Sequence, residues 1–353
     1  MKRLNKIRYK MKENNIEGLV VNSPQNIRYL SGFKGTEAVL FITNTKAFLI
    51  TDFRYIEQAR KESPNFEIVL LKTDVYSALE KLAPDLRILG FEEEFVTYKV
   101  FIDLKAVFSK AEFIEMSSSF KDLRSVKDNE EIEAIRRAVE IADKSFQDIL
   151  RRIAPGQSEE EIGLELEYAM RKNGASGPSF DFIVASGLRS SMPHGTATSK
   201  IIKKGEVLTL DFGAVYNGYC SDITRSVFFG QPDDKMSTIY NIVLEAQLAG
   251  IDAVKPGKAG KEIDAVARKI ITDAGYGEYF GHGLGHSVGL EIHESPNLSP
   301  RETKILEPGM VVTVEPGIYI PDIGGVRIED TVLVTKNGVE VLTQTTKQFI
   351  IID

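Results

Sequence analysis

The four histidines of this chain are its first candidates for chemistry. His194, His282, His286 and His293 all lie between positions 194 and 293 of a 353-residue chain. Histidine is a frequent metal ligand and acid–base group near neutral pH. Because clustering alone is weak support for a site, the residues around each histidine must decide what the cluster does.

Two aspartates flank a predicted β-hairpin. Asp211 follows the apolar run EVLTL, and Asp222 comes eleven residues later, after an Asn217–Gly218 turn. An Asn-Gly turn favours a hairpin, which would bring the two carboxylates together across the ladder. Adjacent carboxylates repel each other unless a cation or a proton lies between them. The other interpretation is two exposed turn aspartates, which is weaker because aspartate is depleted within strands.

A glycine-rich segment carries three of the histidines. In GHGLGHSVGLEIHE (281–294), His282 and His286 are four residues apart. The glycines of this segment disfavour a helix, and the HExxH pattern of zinc proteases is absent. The glycines instead let the backbone approach a ligand closely. The other interpretation is a glycine-rich loop whose histidines are incidental.

Two glutamates lie at or within predicted strands near the C-terminus. Glu315 ends the apolar strand VVTV and precedes a Pro316–Gly317 turn, and Glu329 lies inside the run VRIEDTVLV. A carboxylate inside a buried strand is unfavourable unless it has a partner. Arg327 projects to the same face as Glu329 because side chains alternate along a strand. The other interpretation is therefore a surface ion pair between these two residues.

Together the segments supply four carboxylates and one imidazole. The five residues are Asp211, Asp222, His286, Glu315 and Glu329. Four converging negative charges are strongly unfavourable without a cation, and two divalent ions would neutralise them. An oxygen-rich set of this kind suits Mn²⁺, Co²⁺, Fe²⁺ or Zn²⁺. Two such metals can hold a bridging hydroxide and polarise a carbonyl group.

The elements that must position these residues fall into two predicted domains, 1–121 and 122–353. The first domain alternates short helices and strands, as in an α/β domain, and contains no histidine or cysteine. In the second domain a helix pair precedes strands, and a second pair (234–254 and 259–274) precedes further strands. This order predicts an α+β arrangement of two related halves around a common antiparallel sheet.

Capping residues mark the first helix pair of the second domain. Asp128 or Asn129 can cap the first helix, and Ser158 with Glu161 forms a capping box for the second. Apolar residues at helical spacing predict a buried stripe on the first helix. The stripe comprises Ile132, Ile135, Val139, Ala142 and Phe146.

Composition excludes several classes of protein. The net charge of −7 and the pI of about 5.4 disfavour general binding to nucleic acid or membrane surfaces, which need basic patches. The single cysteine, Cys220, rules out an intrachain disulfide framework and fits a reducing compartment. The sequence has no signal-peptide core and no apolar run of about 18 residues. We therefore expect a cytoplasmic protein.

Five segments occur in a defined order: MPHGT (192–196), DFG with SDITRS, GHGLGHSVGLEIHE, EPGIYI and GGVRIED. In order and spacing they resemble the aminopeptidase P and prolidase (Xaa-Pro dipeptidase) group of pita-bread-fold metallopeptidases. The resemblance covers essentially the whole chain and is strongest from Leu123 onwards. It implies a C-terminal pita-bread (creatinase/aminopeptidase-like) catalytic domain, a smaller creatinase-N-terminal-like α/β domain, a proline-containing peptide substrate and a homodimer.

The resemblance also implies a role for each metal ligand. Asp222 and Glu329 would bridge two divalent metal ions, with Mn²⁺ expected and Co²⁺, Zn²⁺ or Fe²⁺ as alternatives. Asp211 would complete the coordination of one metal, and His286 and Glu315 that of the other. Glu315 would also be the general base that takes a proton from the water or hydroxide between the metals.

The remaining candidates would contact the substrate. His293 and His194 would stabilise the charge that develops on the scissile carbonyl and would assist proton movement. His282 and Arg327 would shape the site around the substrate proline and its far end. The apolar walls would be Phe180 and Ile292.

Other proteins of the same fold provide alternative interpretations. Methionine aminopeptidases typically lack a separate N-terminal domain, and Arg327 fits the proline-specific branch better. Creatine-hydrolysing relatives lack the metal ligands and non-catalytic binding relatives usually lose them, whereas all five positions are present here. The sequence leaves open an aminopeptidase P, which removes the first residue of longer Xaa-Pro peptides, and a prolidase, which cleaves only the dipeptide.

Overall fold

The computed structural model describes residues 2–154 and 156–352. The chain divides between Leu123 and Arg124 into two compact units. One helix, α6 (Ser117–Ser125), runs across this division. The three serines at 117–119 form the first turn of this helix.

The first unit is an α/β domain built on one six-stranded sheet. Its strands are β1 (Gly18–Val21), β2 (Val39–Thr43), β3 (Ala47–Thr51), β4 (Glu67–Leu70), β5 (Ile88–Phe91) and β6 (Glu112–Glu115). The spatial order is β4-β3-β2-β1-β5-β6, antiparallel between β1, β2 and β3 and parallel elsewhere. Its other helices are α1 (Lys2–Glu13), α2 (Pro24–Ser31), α3 (Ile56–Glu62), α4 (Val75–Leu82) and α5 (Tyr98–Val107).

Two helix pairs frame the second unit, as the sequence predicts. They are α7 (Asn129–Leu150) with α8 (Glu159–Lys172), and α9 (Asp234–Ala253) with α10 (Gly260–Asp273). Asp128 caps α7 by accepting hydrogen bonds from the first-turn amides, and Ser158 and Glu161 form the predicted capping box of α8. The predicted stripe of α7 is buried except at Ile132, which is partly exposed.

The strands of the second unit form several sheets. They are β7 (Gly177–Pro178), β8 (Ile183–Ser186), β9 (Val207–Phe212), β10 (Ala214–Tyr216), β11 (Tyr219–Cys220), β12 (Ile223–Phe229), β13 (Gly285–Ser287), β14 (Glu294–Leu298), β15 (Val311–Val314), β16 (Gly317–Ile320), β17 (Gly324–Arg327), β18 (Asp330–Thr335), β19 (Gly338–Val341) and β20 (Ile351–Ile352). The two larger sheets run β20-β12-β9-β8 and β14-β13-β15-β18-β19, and the smaller ones β11-β10-β7 and β16-β17.

The prediction of one common antiparallel sheet is therefore wrong in detail. The run VRIEDTVLV is not one strand, because β17 pairs with β16 while β18 pairs with β15. The chain changes sheet at Ile328 and Glu329, so Glu329 lies between two strands. In addition, β12 pairs with β20 in parallel.

The predicted hairpin turn is present and sets the position of the two aspartates. Asn217 and Gly218 both have positive φ values, 50° and 78°, as a type I′ turn requires. Beyond the turn, β9 and β12 pair with Asp211 opposite Thr224. Asp222 is two residues from Thr224, so the two carboxylates are diagonal neighbours on one face and not a directly opposed pair.

Apolar side chains from both helix pairs cover the sheets of the second unit. One buried cluster includes Ile141 and Phe146 of α7 together with Leu210 of β9. A second includes Val243 of α9 and Val314 of β15. Across residues 2–154 and 156–352, no helix combines the length and the apolar character that crossing a bilayer requires.

Candidate metal centre and active site

The second unit contains a cavity of about 510 Å³ that brings the candidate residues together. Asp211 lies in β9 and His286 in β13, whereas the other three ligands lie directly beside the ends of β12, β15 and β18, so both larger sheets contribute to the site. The sequence-predicted residues that line the cavity are Phe180, His194, Asp211, Asp222, His282, His286, Ile292, His293, Glu315, Arg327 and Glu329. No predicted site residue lies outside it.

Three of the predicted ligands form a compact donor set. One donor atom each from Asp222, His286 and Glu329 lies within 4.8 Å of the others. His286 Nε2 is 3.4 Å from Asp222 Oδ2 and 3.4 Å from Glu315 Oε1. The geometry therefore groups one imidazole nitrogen with three carboxylates, which is a donor set that divalent ions of the Mn²⁺ to Zn²⁺ series accept.

Hydrogen bonds orient His286 for such a role. Its Nδ1 is 3.2 Å from the carbonyl oxygen of Ser287, which can only accept, so Nδ1 carries the proton. In the neutral ring, Nε2 then carries the free electron pair that a metal ion would accept, and it is directed at the carboxylates. This arrangement, in which a carbonyl fixes the tautomer of the ring, is typical of metal-binding histidines.

Several carboxylate oxygens of this centre have no hydrogen-bond donor. Within the described residues, Asp211 Oδ1, Asp222 Oδ1 and Glu329 Oε1 are buried and unpartnered. The second oxygen of Glu329 accepts a hydrogen bond from Thr224 Oγ1 at 2.6 Å. Buried anionic oxygens without donors are costly, and bound cations would satisfy them, so the residues present fit a metal site.

The pKa values of the carboxylates also support a metal site. Burial raises the pKa of Asp222 well above its usual value, and the charges of Asp211 and Glu315 add to this. Burial likewise raises the pKa of Glu329, with Asp222 as the next cause. Burial also raises the pKa of Glu315. The carboxylates therefore resist ionising together unless a positive charge joins them.

Arg327 is buried against Asp211 and does not form the surface ion pair with Glu329. Its Nη2 donates to Asp211 Oδ2 at 2.5 Å, and its Nε donates to Thr224 Oγ1 at 3.1 Å. Its Nη1 donates to Tyr319 Oη and to the carbonyl oxygen of Pro193. Burial would lower the pKa of Arg327, but Tyr319 and Asp211 raise it overall, so the guanidinium stays charged.

Tyr319 is a functional candidate that the sequence analysis did not identify. Its hydroxyl accepts from Arg327 at 2.8 Å and lies 2.9 Å from His282 Nε2. His282 Nδ1 lies 2.8 Å from the carbonyl of Gly283, so Nδ1 is protonated and Nε2 accepts from Tyr319. The signal for Tyr319 in the sequence is Gly317. A Cβ at position 317 would lie 2.4 Å from the Tyr319 hydroxyl, so this position of the tyrosine requires glycine two residues earlier.

The remaining predicted residues occupy the rim of the cavity. His293 packs edge-on against His286 with ring centroids 4.3 Å apart. Burial and the neighbouring His286 lower the pKa of His293, although much of the residue reaches solvent. His194 is exposed, whereas Phe180 and Ile292 are partly buried. Thr224 and Thr313, which orient Glu329 and Glu315, are further residues that sequence reasoning missed.

The fold and this centre define a metallopeptidase. Residues 133–336 match the Metallopeptidase family M24, and residues 3–126 match the Creatinase/Prolidase N-terminal domain. The chain belongs to metallopeptidase family M24. The predicted two-domain creatinase/aminopeptidase-like fold and the predicted class of enzyme are thereby confirmed.

Similar proteins extend over nearly the whole chain. An Xaa-Pro dipeptidase of Pyrococcus furiosus is 42% identical over 350 residues, which cover 99% of each chain. The solved structure of an Xaa-Pro dipeptidase from Bacillus anthracis is 49% identical, with a TM-score of 0.97 and 99% of each chain covered. An X-Pro aminopeptidase structure from Thermotoga maritima is 40% identical, with a TM-score of 0.91, and the match covers 96% of this chain and 98% of that one.

Proposed function

We propose that this chain is a metal-dependent exopeptidase that hydrolyses the bond between an N-terminal residue and proline. The observation that carries the proposal is the convergence of four carboxylates and His286 in one cavity, where three buried oxygens have no donor among the residues that the structure describes. The relatives named as Xaa-Pro peptidases, which match nearly the full length, support the proline specificity.

Two divalent ions per subunit are proposed, with Mn²⁺ expected. Asp222 and Glu329 would bridge them, Asp211 would complete one coordination shell, and His286 with Glu315 would complete the other. When bound, such ions lower the pKa of water towards neutrality and polarise a carbonyl group. Asp211 would bind a metal ion through Oδ1, because its Oδ2 already accepts a hydrogen bond from Arg327.

The protein's own groups would then move the protons of hydrolysis. Glu315, held by a hydrogen bond from Thr313 Oγ1, takes the proton of the attacking water as oxygen adds to the scissile carbonyl carbon. His293 and His194 donate hydrogen bonds to the oxygen on which negative charge develops. When the carbon–nitrogen bond breaks, the proline nitrogen receives the proton.

The proline side of the substrate requires a dedicated pocket. An Xaa-Pro bond is a tertiary amide with no N–H and a restricted φ, so specificity must come from shape. Arg327 already makes hydrogen bonds to Asp211, Tyr319, Pro193 and Thr224, which supports a role in shaping the pocket with His282. The apolar walls would be Phe180 and Ile292.

Three further properties belong to the same proposal. The catalytic domain comprises residues 122–353 and follows, in the sequence, an N-terminal domain of residues 1–121. The chain forms a homodimer, which rests on the resemblance alone. It works in the cytoplasm, which the single buried cysteine, Cys220, supports.

The test is amino-acid release by metal-stripped protein, with and without added Mn²⁺, from matched Xaa-Pro, Xaa-Pro-Yaa and Met-Ala-Yaa peptides. Release from Xaa-Pro alone indicates a dipeptidase, and release from the tripeptide indicates an aminopeptidase P. Release from Met-Ala-Yaa alone indicates a methionine aminopeptidase, which the match to a creatinase/prolidase N-terminal domain disfavours. No metal-dependent cleavage of any proline peptide overturns the proposal.

A further inference from the structure

Glu159 is a fully buried carboxylate that none of the proposed catalytic steps uses. It is the first residue of α8 and has no exposed surface. Its Oε1 accepts from the amide and the hydroxyl of Ser186, both at 2.8 Å. Its Oε2 accepts from Arg189 Nε at 2.9 Å, from the amide of Thr198 at 3.2 Å and from Thr198 Oγ1 at 2.7 Å.

Four of these five donors come from the two ends of one irregular segment, and the fifth, Arg189, lies within it. Residues 186–198, which we call the 186–198 arch, leave β8, form a short 3-10 helix (Gly187–Ser191) and return to the start of α8. Ser186 begins the arch and Thr198 ends it, so one carboxylate joins both ends. Arg189 also makes a hydrogen bond within the arch, because its Nη2 donates to the carbonyl oxygen of Thr196.

The middle of the arch belongs to the active-site cavity. Pro193, His194 and Thr196 line it, and the Pro193 carbonyl accepts from Arg327 Nη1 at 3.2 Å. A second hydrogen bond connects the arch to β17, the strand of Arg327: the amide of Gly325 donates to Ser190 Oγ at 2.8 Å. The ring of His194 has no hydrogen bond within residues 2–154 and 156–352, so the backbone of the arch must determine where it lies.

We propose that Glu159 is a positioning residue for the active site, acting through the arch on His194 and on the Pro193 carbonyl. This inference rests on the proposed function for its catalytic consequence. Capping of α8 does not require Glu159, because Ser158 and Glu161 already form the capping box. A buried carboxylate needs full hydrogen bonding to be tolerated, and here every donor but the Arg189 guanidinium comes from an end of the arch.

Glu159→Gln tests the proposal with almost no change in volume. A glutamine amide offers one acceptor oxygen and one NH₂ donor, so either the Ser186 donors or the Thr198 and Arg189 donors would face another donor. The matched control is Glu161→Gln, which removes one charge from the same turn but contacts only the helix cap. Measurements are metal content, thermal unfolding, kcat and KM on an Xaa-Pro substrate, and the rate of trypsin cleavage after Arg189 and Lys200.

The expected result for Glu159→Gln is faster trypsin cleavage after Arg189, within the arch, and after Lys200, just beyond it, together with a kcat lower by about 10- to 100-fold. Metal content should be unchanged, and Glu161→Gln should show neither the faster cleavage nor the lower kcat. The decisive measurement is a double-mutant cycle with His194→Ala. Because part of the effect of Glu159 passes through His194, Glu159→Gln should lower kcat less in the His194→Ala background than in the wild type.

An equal loss of kcat in both backgrounds overturns the proposal, and so does wild-type trypsin resistance in Glu159→Gln. If Glu159→Gln does not fold, Thr198→Val removes only one hydroxyl donor and should give the same pattern with a smaller effect. If the wild type cleaves no proline peptide, the proposed function fails, but the trypsin comparison still tests whether Glu159 anchors the arch.

Discussion

Arg327 donates a hydrogen bond from Nη2 to Oδ2 of Asp211 at 2.5 Å, and both residues are more than nine-tenths buried. The guanidinium offsets one of the four negative charges of the centre and fixes the orientation of that carboxylate. Asp211 Oδ1, which has no donor within the described residues, is thereby left for a cation. The same guanidinium joins Asp211 to Tyr319 and to the arch through Pro193.

Arg327→Lys should lower activity although it keeps the positive charge. A lysine ammonium lacks the planar fork of arginine and cannot reproduce the contacts to Asp211, Tyr319 and Thr224 together. We expect kcat/KM on an Xaa-Pro substrate to fall by roughly 10- to 100-fold. Arg301→Lys, at an exposed position, is the matched control, and wild-type activity in Arg327→Lys would show that charge alone is sufficient.

Asp222→Asn should abolish metal-dependent activity. Asp222 contributes both a buried oxygen without a donor and an oxygen 3.4 Å from His286 Nε2. Removing its charge should weaken metal binding by more than about 100-fold, since residues that only support metal ligands contribute 10- to 100-fold. Metal content after dialysis and activity with added Mn²⁺ are the measurements. Asp273→Asn, at an exposed pair with Lys269, should behave as wild type, and full activity in Asp222→Asn would refute the bridging assignment.

Metal removal should destabilise the protein. Without cations, burial raises the pKa values of Asp222 and Glu329, and repulsion between the neighbouring carboxylates raises them further. Ligand binding to the folded state at about 100 times Kd raises the free energy of unfolding by about 2.7 kcal/mol. We therefore expect Mn²⁺ to raise the Tm of EDTA-treated wild type by several degrees, as measured by calorimetry. An equal shift in Asp222→Asn would mean that the stabilising ion binds elsewhere.

Residue type and spacing along the chain were enough to predict that the five proposed metal ligands meet, whereas Phe180 and Ile292 were predicted from the family resemblance alone. The apolar runs and the Asn217–Gly218 turn located the strand ends and turns at which the proposed ligands lie. The diagonal relation of Asp211 to Asp222 could not be predicted, because it depends on the register of β9 against β12.

The supporting residues were not predictable for a different physical reason. Glu159 acts through contacts with residues 27 to 39 positions away, and nothing in its own neighbourhood distinguishes it from a helix-capping glutamate. Gly317 is a local signal for Tyr319, but its meaning depends on where the tyrosine hydroxyl lies in the folded protein. The break between β17 and β18 at Ile328 could not be predicted either. The apolar pattern of VRIEDTVLV continues without interruption, although the partner strand changes from β16 to β15.

His293→Ala should lower turnover while leaving the metal in place. The ring packs against His286 at 4.3 Å between centroids and lines the cavity, but it is not part of the compact donor set of Asp222, His286 and Glu329. Loss of a hydrogen-bond donor to the developing oxyanion typically lowers kcat by about 100- to 1,000-fold. The metal content of His293→Ala is measured together with its kcat. Loss of metal in this variant would show that His293 is a metal ligand.

His282 should remain neutral well below the pH at which an ordinary histidine protonates. Burial lowers the pKa of His282 to about 4 from 6.5, despite a hydrogen bond to the Gly283 carbonyl that favours the charged form. Arg327 adds a like charge nearby. Because the chain has only four histidines, an NMR titration of their ring carbon-bound protons can be assigned by comparison with His282→Gln.

The same shift has a consequence for stability whose sign is fixed by proton linkage. The unfolded chain binds a proton at His282 below about pH 6.5, whereas the folded protein does so only near pH 4, so stability is present above pH 6.5 and is lost as the pH falls towards 4. The shift of about 2.5 units corresponds to an upper limit of about 3 kcal/mol, and partial solvent exposure reduces this to about 1–2 kcal/mol. Urea denaturation of metal-free wild type and His282→Gln between pH 7.5 and 4.5 measures the difference. The wild type should lose its advantage over the variant as the pH falls, and a constant difference would show that His282 titrates normally.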